Sequence, residues 1–154
     1  MSSQLRAIYA AIAGMPVRYN SAIVTAYDLA ALPNQVPATN LPVRLLLPLE
    51  SRGEGRGVNY VSLGTPAVVT VDWKLVDLML ALPISQGSGI QDVAPLLVDY
   101  KAEYLEHVRN NKRIAHVANI TSVAMEMAAF TYPASSRTAY FGVEVTLTIK
   151  EIVG

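Results

Sequence analysis

Between Ile120 and Ile152 apolar and polar residues alternate in two long runs separated by a turn. From Phe141 the odd positions Phe141, Val143, Val145, Leu147 and Ile149 are apolar, with Gly142, Glu144, Thr146, Thr148 and Lys150 between them. A period of two places one set on a buried face and the other towards solvent or a partner. Thr121, Val123, Met125, Met127 and Ala129 form a comparable set, and Pro133 to Arg137 supplies the turn. The pattern predicts a hairpin with arms well beyond the usual strand of about five or six residues.

Upstream, Leu5, Ile8, Ile12 and Met15 recur at spacings of three and four, which predicts a helix over Ser3–Met15, capped by Ser2 or Ser3 and stopped by Gly14 and Pro16. Val17 to Tyr27 reads as one strand. Asp28 to Pro42 holds three prolines and reads as a long irregular connection, of the kind that binds something or moves. Val43, Leu45, Leu47 and Leu49 begin another strand, where Pro48 suggests an edge or a bulge. The tip Ser51 to Gly57 returns into Val58 to Leu63, which predicts a second hairpin. Ala67 to Leu75 alternates as a strand, and Leu78 to Leu82 reads equally as continued strand or short buried helix. After Gln86-Gly87-Ser88-Gly89, Asp92 caps a helix reaching about Asn110, with Val93, Leu97, Tyr100, Tyr104 and Val108 as its stripe and Pro95 in its first turn. The expected class is α+β: a mainly antiparallel sheet flanked by an N-terminal helix and one long central helix, with a long C-terminal β-hairpin.

Length and composition narrow the function classes. The 154 residues suit a single domain, 1–154, able to bury a core without staples. With no cysteine, disulfides and thiolate zinc sites are excluded. Twelve basic residues balance twelve acidic ones, so the chain has no global basic field for gripping nucleic-acid backbone. A composition 52% hydrophobic and 16% charged leaves an unusually uncharged surface, which favours association and reads as a subunit. Ala7 to Met15 has the length of a signal-peptide core, but its helical stripe is the better account. No apolar run approaches the roughly 20 residues of a membrane span, since Asp77 and Pro83 interrupt Val76 to Leu82.

No reaction can be read from the side chains. Gly53-Glu54-Gly55-Arg56-Gly57 precedes a strand rather than a helix and lacks the Lys-Ser/Thr of a phosphate loop, so it reads first as a mobile tip, with contact of Arg52 and Arg56 with a partner's acidic patch as the sharper alternative. Ser88 lacks the nucleophile elbow, and the turn before the helix is its plain role. Glu103 and His107, one helical turn apart, supply two metal ligands, short of a site. His116 reads as a strand-entry residue, and Trp73 as core beside Val71 and Leu75. Pairing Met127 with Val143 sets Glu126 opposite Glu144, where like charges repel. Three accounts stand: a register one or two residues off, docking of a neighbour's arginine, or paired-carboxylate catalysis. Eight tyrosines against two phenylalanines suit interfaces, with Tyr132 and Tyr140 beside the turn as anchors or, equally, as an exposed cross-strand pair. The residues expected at interfaces are Arg52, Arg56, Glu126, Tyr132, Arg137, Tyr140 and Glu144.

The order of elements resembles that of the tail terminators, small tail-completion proteins of long-tailed bacteriophages. The likeness rests on the helix Ser3–Met15, the loop Asp28–Pro42, the strand Ala67–Leu82 entering Gly87-Ser88-Gly89, the helix Asp92–Asn110 and the hairpin Ile120–Ile152. It spans nearly the whole chain as an arrangement and contains no diagnostic motif. The resemblance implies a virion protein assembled in the host cytoplasm, with six copies in a ring that caps the tail tube and meets neck or connector proteins. It further implies contacts through sheet edges and extended arms, and a central channel through which DNA passes as cargo. It carries over no catalytic residue, cofactor, metal or membrane contact. A head–tail connector or other tail-completion subunit is the neighbouring reading, and a small ligand-binding protein or hydrolase the reading from another class.

Overall fold

The computed structural model describes residues 3–27, 31–47, 60–63, 69–84, 90–114, 118–133 and 138–153. The first apolar stripe forms α1 (Leu5–Ala13), which buries Ile8, Tyr9 and Ile12. The expected single strand after it is broken. At Asn20 and Ser21 φ is 50° and 69°, a left-handed pair that makes a tight two-residue turn. It folds β1 (Arg18–Tyr19) antiparallel onto β2 (Ala22–Ile23), and β3 (Thr25–Tyr27) then runs parallel to β4 (Val43–Leu47).

The second expected hairpin is also corrected. Strands β4 and β5 (Tyr60–Leu63) do not pair with each other. Both lie along one side of β6 (Val69–Pro83), β4 against residues 76–80 and β5 against residues 69–72. The ambiguous Leu78–Leu82 is therefore strand, continuous with the stretch before it. Nor is β4 an edge: it lies between β3 and β6 and all five of its residues are buried. Pro48, the tip 51–57, residues 85–89 and His116 lie outside the described residues.

Helix α2 (Ile90–Asn110) begins before Asp92, which sits in its first turn instead of capping it, so Pro95 falls inside the helix. Its stripe is as expected, with Val93, Leu97, Tyr100, Tyr104 and Val108 buried. After it, β7 (Arg113–Ile114) pairs with the start of β8 (Ala118–Thr131), and β8 pairs along its length with β9 (Ala139–Val153). The sheet runs β3-β4-β6-β9-β8-β7 with β5 beside β6, and every pair except β3–β4 is antiparallel.

The two sheet faces are covered differently. On one, Leu46, Leu75, Met79, Val143, Val145 and Leu147 pack with the stripes of both helices. On the other, Val43, Leu45, Val76, Leu78, Leu80 and Phe130 gather beneath Val36, with Leu32 and Leu41 alongside. Residues 31–42 thus act as a strap, irregular apart from a 3-10 turn at Ala38–Asn40. Where the strap ends, Ser122, Ala124, Glu126 and Lys150 are exposed. Among the described residues no helix is long and apolar enough to cross a membrane.

Gly142 sits where the β6–β9 register shifts, between Leu80 and Leu82. A Cβ added there would collide with the backbone carbonyl of Met79 in the neighbouring strand. Gly142→Ala is therefore expected to cost at least about 1–3 kcal/mol, the range for overpacking a tight interior. Equilibrium urea denaturation measures it, and an unchanged midpoint would mean the strands separate more easily than this packing implies.

Candidate functional site

The strongest concentration of charge is sealed inside. Arg44 of β4 and Asp77 of β6 project from adjacent strands onto the helix face, and both are wholly buried. The guanidinium Nη2 lies 2.6 Å from Asp77 Oδ2, and Nε donates to the same carboxylate at 3.1 Å. Tyr104 of α2 donates its hydroxyl to Asp77 Oδ2 at 2.7 Å, and its ring lies 5.7 Å from the guanidinium carbon. The remaining arginine donors reach the end of α1, Nη1 to Met15 O at 2.7 Å and Nη2 to Ile12 O at 2.9 Å. Burial lowers the Arg44 pKa, but the Asp77 charge beside it outweighs that and the guanidinium pKa is raised. Burial first, and the Asp77 charge second, push the Tyr100 and Tyr104 hydroxyls well above the ordinary phenol value. With no path to solvent, this cluster is a structural joint between α1, β4, β6 and α2.

A second carboxylate holds the other end of α1. Glu151 of β9, almost fully buried, accepts from Gln4 N at 2.6 Å, Ser3 Oγ at 2.7 Å and Trp73 Nε1 at 2.9 Å. The expected serine cap is corrected, since Gln4 holds the N-cap position without a side-chain cap bond; Ser3, one residue earlier, accepts from Leu5 N at 3.2 Å and donates its hydroxyl to Glu151. A negative group at the helix start and a positive one at its end both oppose the helix dipole. Trp73 packs against the core, as expected, and also donates to this carboxylate.

The residues expected at interfaces fall into three groups. Arg52, Arg56 and Arg137 lie outside the described residues. Glu126 and Glu144 are direct register partners, as are Met127 and Val143, so the register account of the like-charge pair falls away. The two differ in access: Glu126 is exposed, whereas Glu144 is buried at 2% exposure opposite Leu78, so a neighbour's arginine reaches the first and not the second. Tyr132 and Tyr140 turn inward to their own chain. Their hydroxyls donate to Pro33 O at 2.6 Å and to Val36 O at 3.1 Å, tying the strap to the base of the hairpin. Burial raises the Tyr132 pKa, so the latch stays protonated at neutral pH.

Between strap and hairpin lies an open cleft of about 580 Å³, lined by Asn34, Gln35, Val36, Pro37, Pro83, Tyr132, Pro133, Thr138 and Tyr140. None of these lining residues carries a charge at neutral pH. His107 is remote on the outer flank of α2, where it lies 3.2 Å from Glu103. Among the described residues no three histidine, cysteine or acidic side chains come together as a metal site. Comparison of the chain with protein-family models gives no match, and comparison with curated proteins gives none either.

Arg44 and Asp77 escaped the sequence reading, although a signal was present. Each is a lone charge within an apolar strand, Val43-Arg44-Leu45 and Val76-Asp77-Leu78, and such charges are kept in cores only as pairs. Glu151 offered no comparable signal, since its partners are over a hundred residues away for Ser3 and Gln4.

Removing one member of the buried pair leaves the other uncompensated. Asp77→Leu and Arg44→Met are each expected to cost about 3–5 kcal/mol, and the two together much less than the sum. A double-mutant cycle by urea denaturation decides, and additive losses would contradict the coupling.

Glu151 supplies a pH dependence of known sign. Burial pushes its pKa up, but the bonds from Gln4, Ser3 and Trp73 outweigh that and hold it below the ordinary glutamate value of 4.5. A depressed folded-state pKa contributes stability that is complete above the unfolded value and is lost as pH falls through the folded one. Glu151→Gln is expected to lower stability at pH 7 and to flatten its decline below about pH 4.5. Denaturation midpoints across that range test this, and parallel curves for both proteins would refute it.

Proposed function

We propose that this chain is a structural virion protein of the tail-terminator type, assembling in the host cytoplasm as a ring of six copies that caps the tail tube and joins it to neck or connector proteins. DNA passes the central channel as cargo. In this reading the N-terminal and long central helices flank the sheet, and the C-terminal hairpin is the arm that reaches a neighbour. What supports the reading most is the size of the ribbon relative to its cover. Strands β6, β8 and β9 run 15, 14 and 15 residues, or about 46–50 Å at roughly 3.3 Å per residue. Helix α2, at 21 residues, spans about 31 Å, and α1 is shorter still. The strap covers one end of the other face and leaves Ser122, Ala124, Glu126 and Lys150 outside. A surface so extended and so weakly charged suits contact with other subunits.

The uncharged cleft favours one second reading, a protein that binds a small neutral ligand, since its volume falls within the range of ligand pockets. The two readings part on assembly. Light scattering coupled to size exclusion, with negative-stain microscopy, is expected to give rings several times the 16.6 kDa monomer. A strictly monomeric species at high concentration would reject the terminator reading and leave the cleft as the functional site.

A further inference from the structure

Strand β8 has one side engaged by β9 along its length, and among the described residues the other side is paired only at its start. Its outer side carries β7 only along Ala118 and Asn119, with Ile120 N donating to Lys112 O at 2.8 Å. Beyond that, no described strand lies along residues 121–129. Half of the backbone N–H and C=O groups of such a stretch point outward, where an added strand would take them.

Free edges are normally defended by lysines, prolines, short length or bulges. Residues 121–129 contain no lysine and no proline, and Glu126 is their sole charged side chain. The one irregularity lies at the start, between Ile120 and Ser122, leaving the rest in continuous register with β9. On the helix face the edge shows Val123, Met125 and Met127, each only partly buried.

Helix α2 adds to the same border. Its flank with Leu96, Asp99 and Glu103 faces the β1–β2 turn. Val98 and Leu105 fall on the opposite flank, towards β8, and are 52% and 47% exposed. The result is a strand edge flanked by an apolar lip.

We infer that this edge of β8, with Val98 and Leu105 beside it, is the surface on which a strand of a second copy of this chain adds to the sheet. Three observations select a second copy over another protein. An edge without defences needs a cover that is present whenever the chain is, and another copy is the one partner always available. The equal counts of acidic and basic residues put no net repulsion between copies. The apolar lip and the single carboxylate ask for an uncharged strand, which this weakly charged chain supplies.

The inference rests on the proposed self-assembly and names one of the two surfaces that a ring brings together. Two exposed alanines on the edge permit a gentle test, the double variant Ala124→Lys with Ala129→Lys. It is expected to shift the assembled species to monomer, at least tenfold in dissociation constant, with circular dichroism unchanged. Hydrogen exchange on the unaltered protein provides the second reading: the outward amides of residues 121–129 are expected to be protected in the assembly and to exchange on dilution to monomer. Rings that persist in the variant, with those amides exchanging freely in the unaltered assembly, would overturn this surface while leaving the terminator reading intact. A monomeric unaltered protein would overturn both.

Discussion

The fold turns on the buried contact between Arg44 and Asp77. Two charges wholly removed from water cost several kcal/mol each unless their remaining hydrogen-bonding capacity is met. Here Tyr104 and two carbonyls at the end of α1 meet it. The need to satisfy one guanidinium thus determines where three elements sit. Helix α1 must end over β4, α2 must bring Tyr104 over β6, and β4 must lie beside β6 with Arg44 next to Asp77. An apolar pair at the same positions would pack, but it would not select a single placement for the two helices. That selectivity is the best-supported use of a buried ion pair.

The Glu151 contact extends the logic to the C-terminal strand. It joins the beginning of α1 to the end of β9 through the Ser3 and Gln4 bonds. Helix α1 has no acidic side chain in its first turn and no basic one in its last. Both ends of its dipole are instead met by charges from the sheet, so a nine-residue helix too short to persist alone is held by its surroundings.

The opposite face and the β8 edge have the reverse character. The strap is held by Val36 and by two tyrosine hydroxyls on backbone carbonyls, and it covers only one end of the ribbon. Among the described residues, no Asp, Glu, His, Lys or Arg lines the cleft beneath it. Among the described residues, the buried charges Arg44, Asp77 and Glu151 meet helix ends, while the long strand β8 carries Glu126 as its one charged side chain.

Local periodicity, read along the chain, determined much of this molecule. The stripes of α1 and α2 and the two arms from Ile120 to Ile152 were legible because each buries one face, which leaves a period of 3.6 or 2 in the residues. Even the pairing of Glu126 with Glu144 followed, since matching the apolar faces of two strands admits few registers. What only the tertiary structure decided involves contacts between distant segments. That β4 and β5 share one side of β6 is invisible locally, because a strand's pattern does not name its neighbour. The break at Asn20 and Ser21 depends on a backbone conformation that those residues permit without requiring. Arg44 and Glu151 look like ordinary strand residues until the helix ends arrive beside them, for a buried charge takes its meaning from the partners that folding brings.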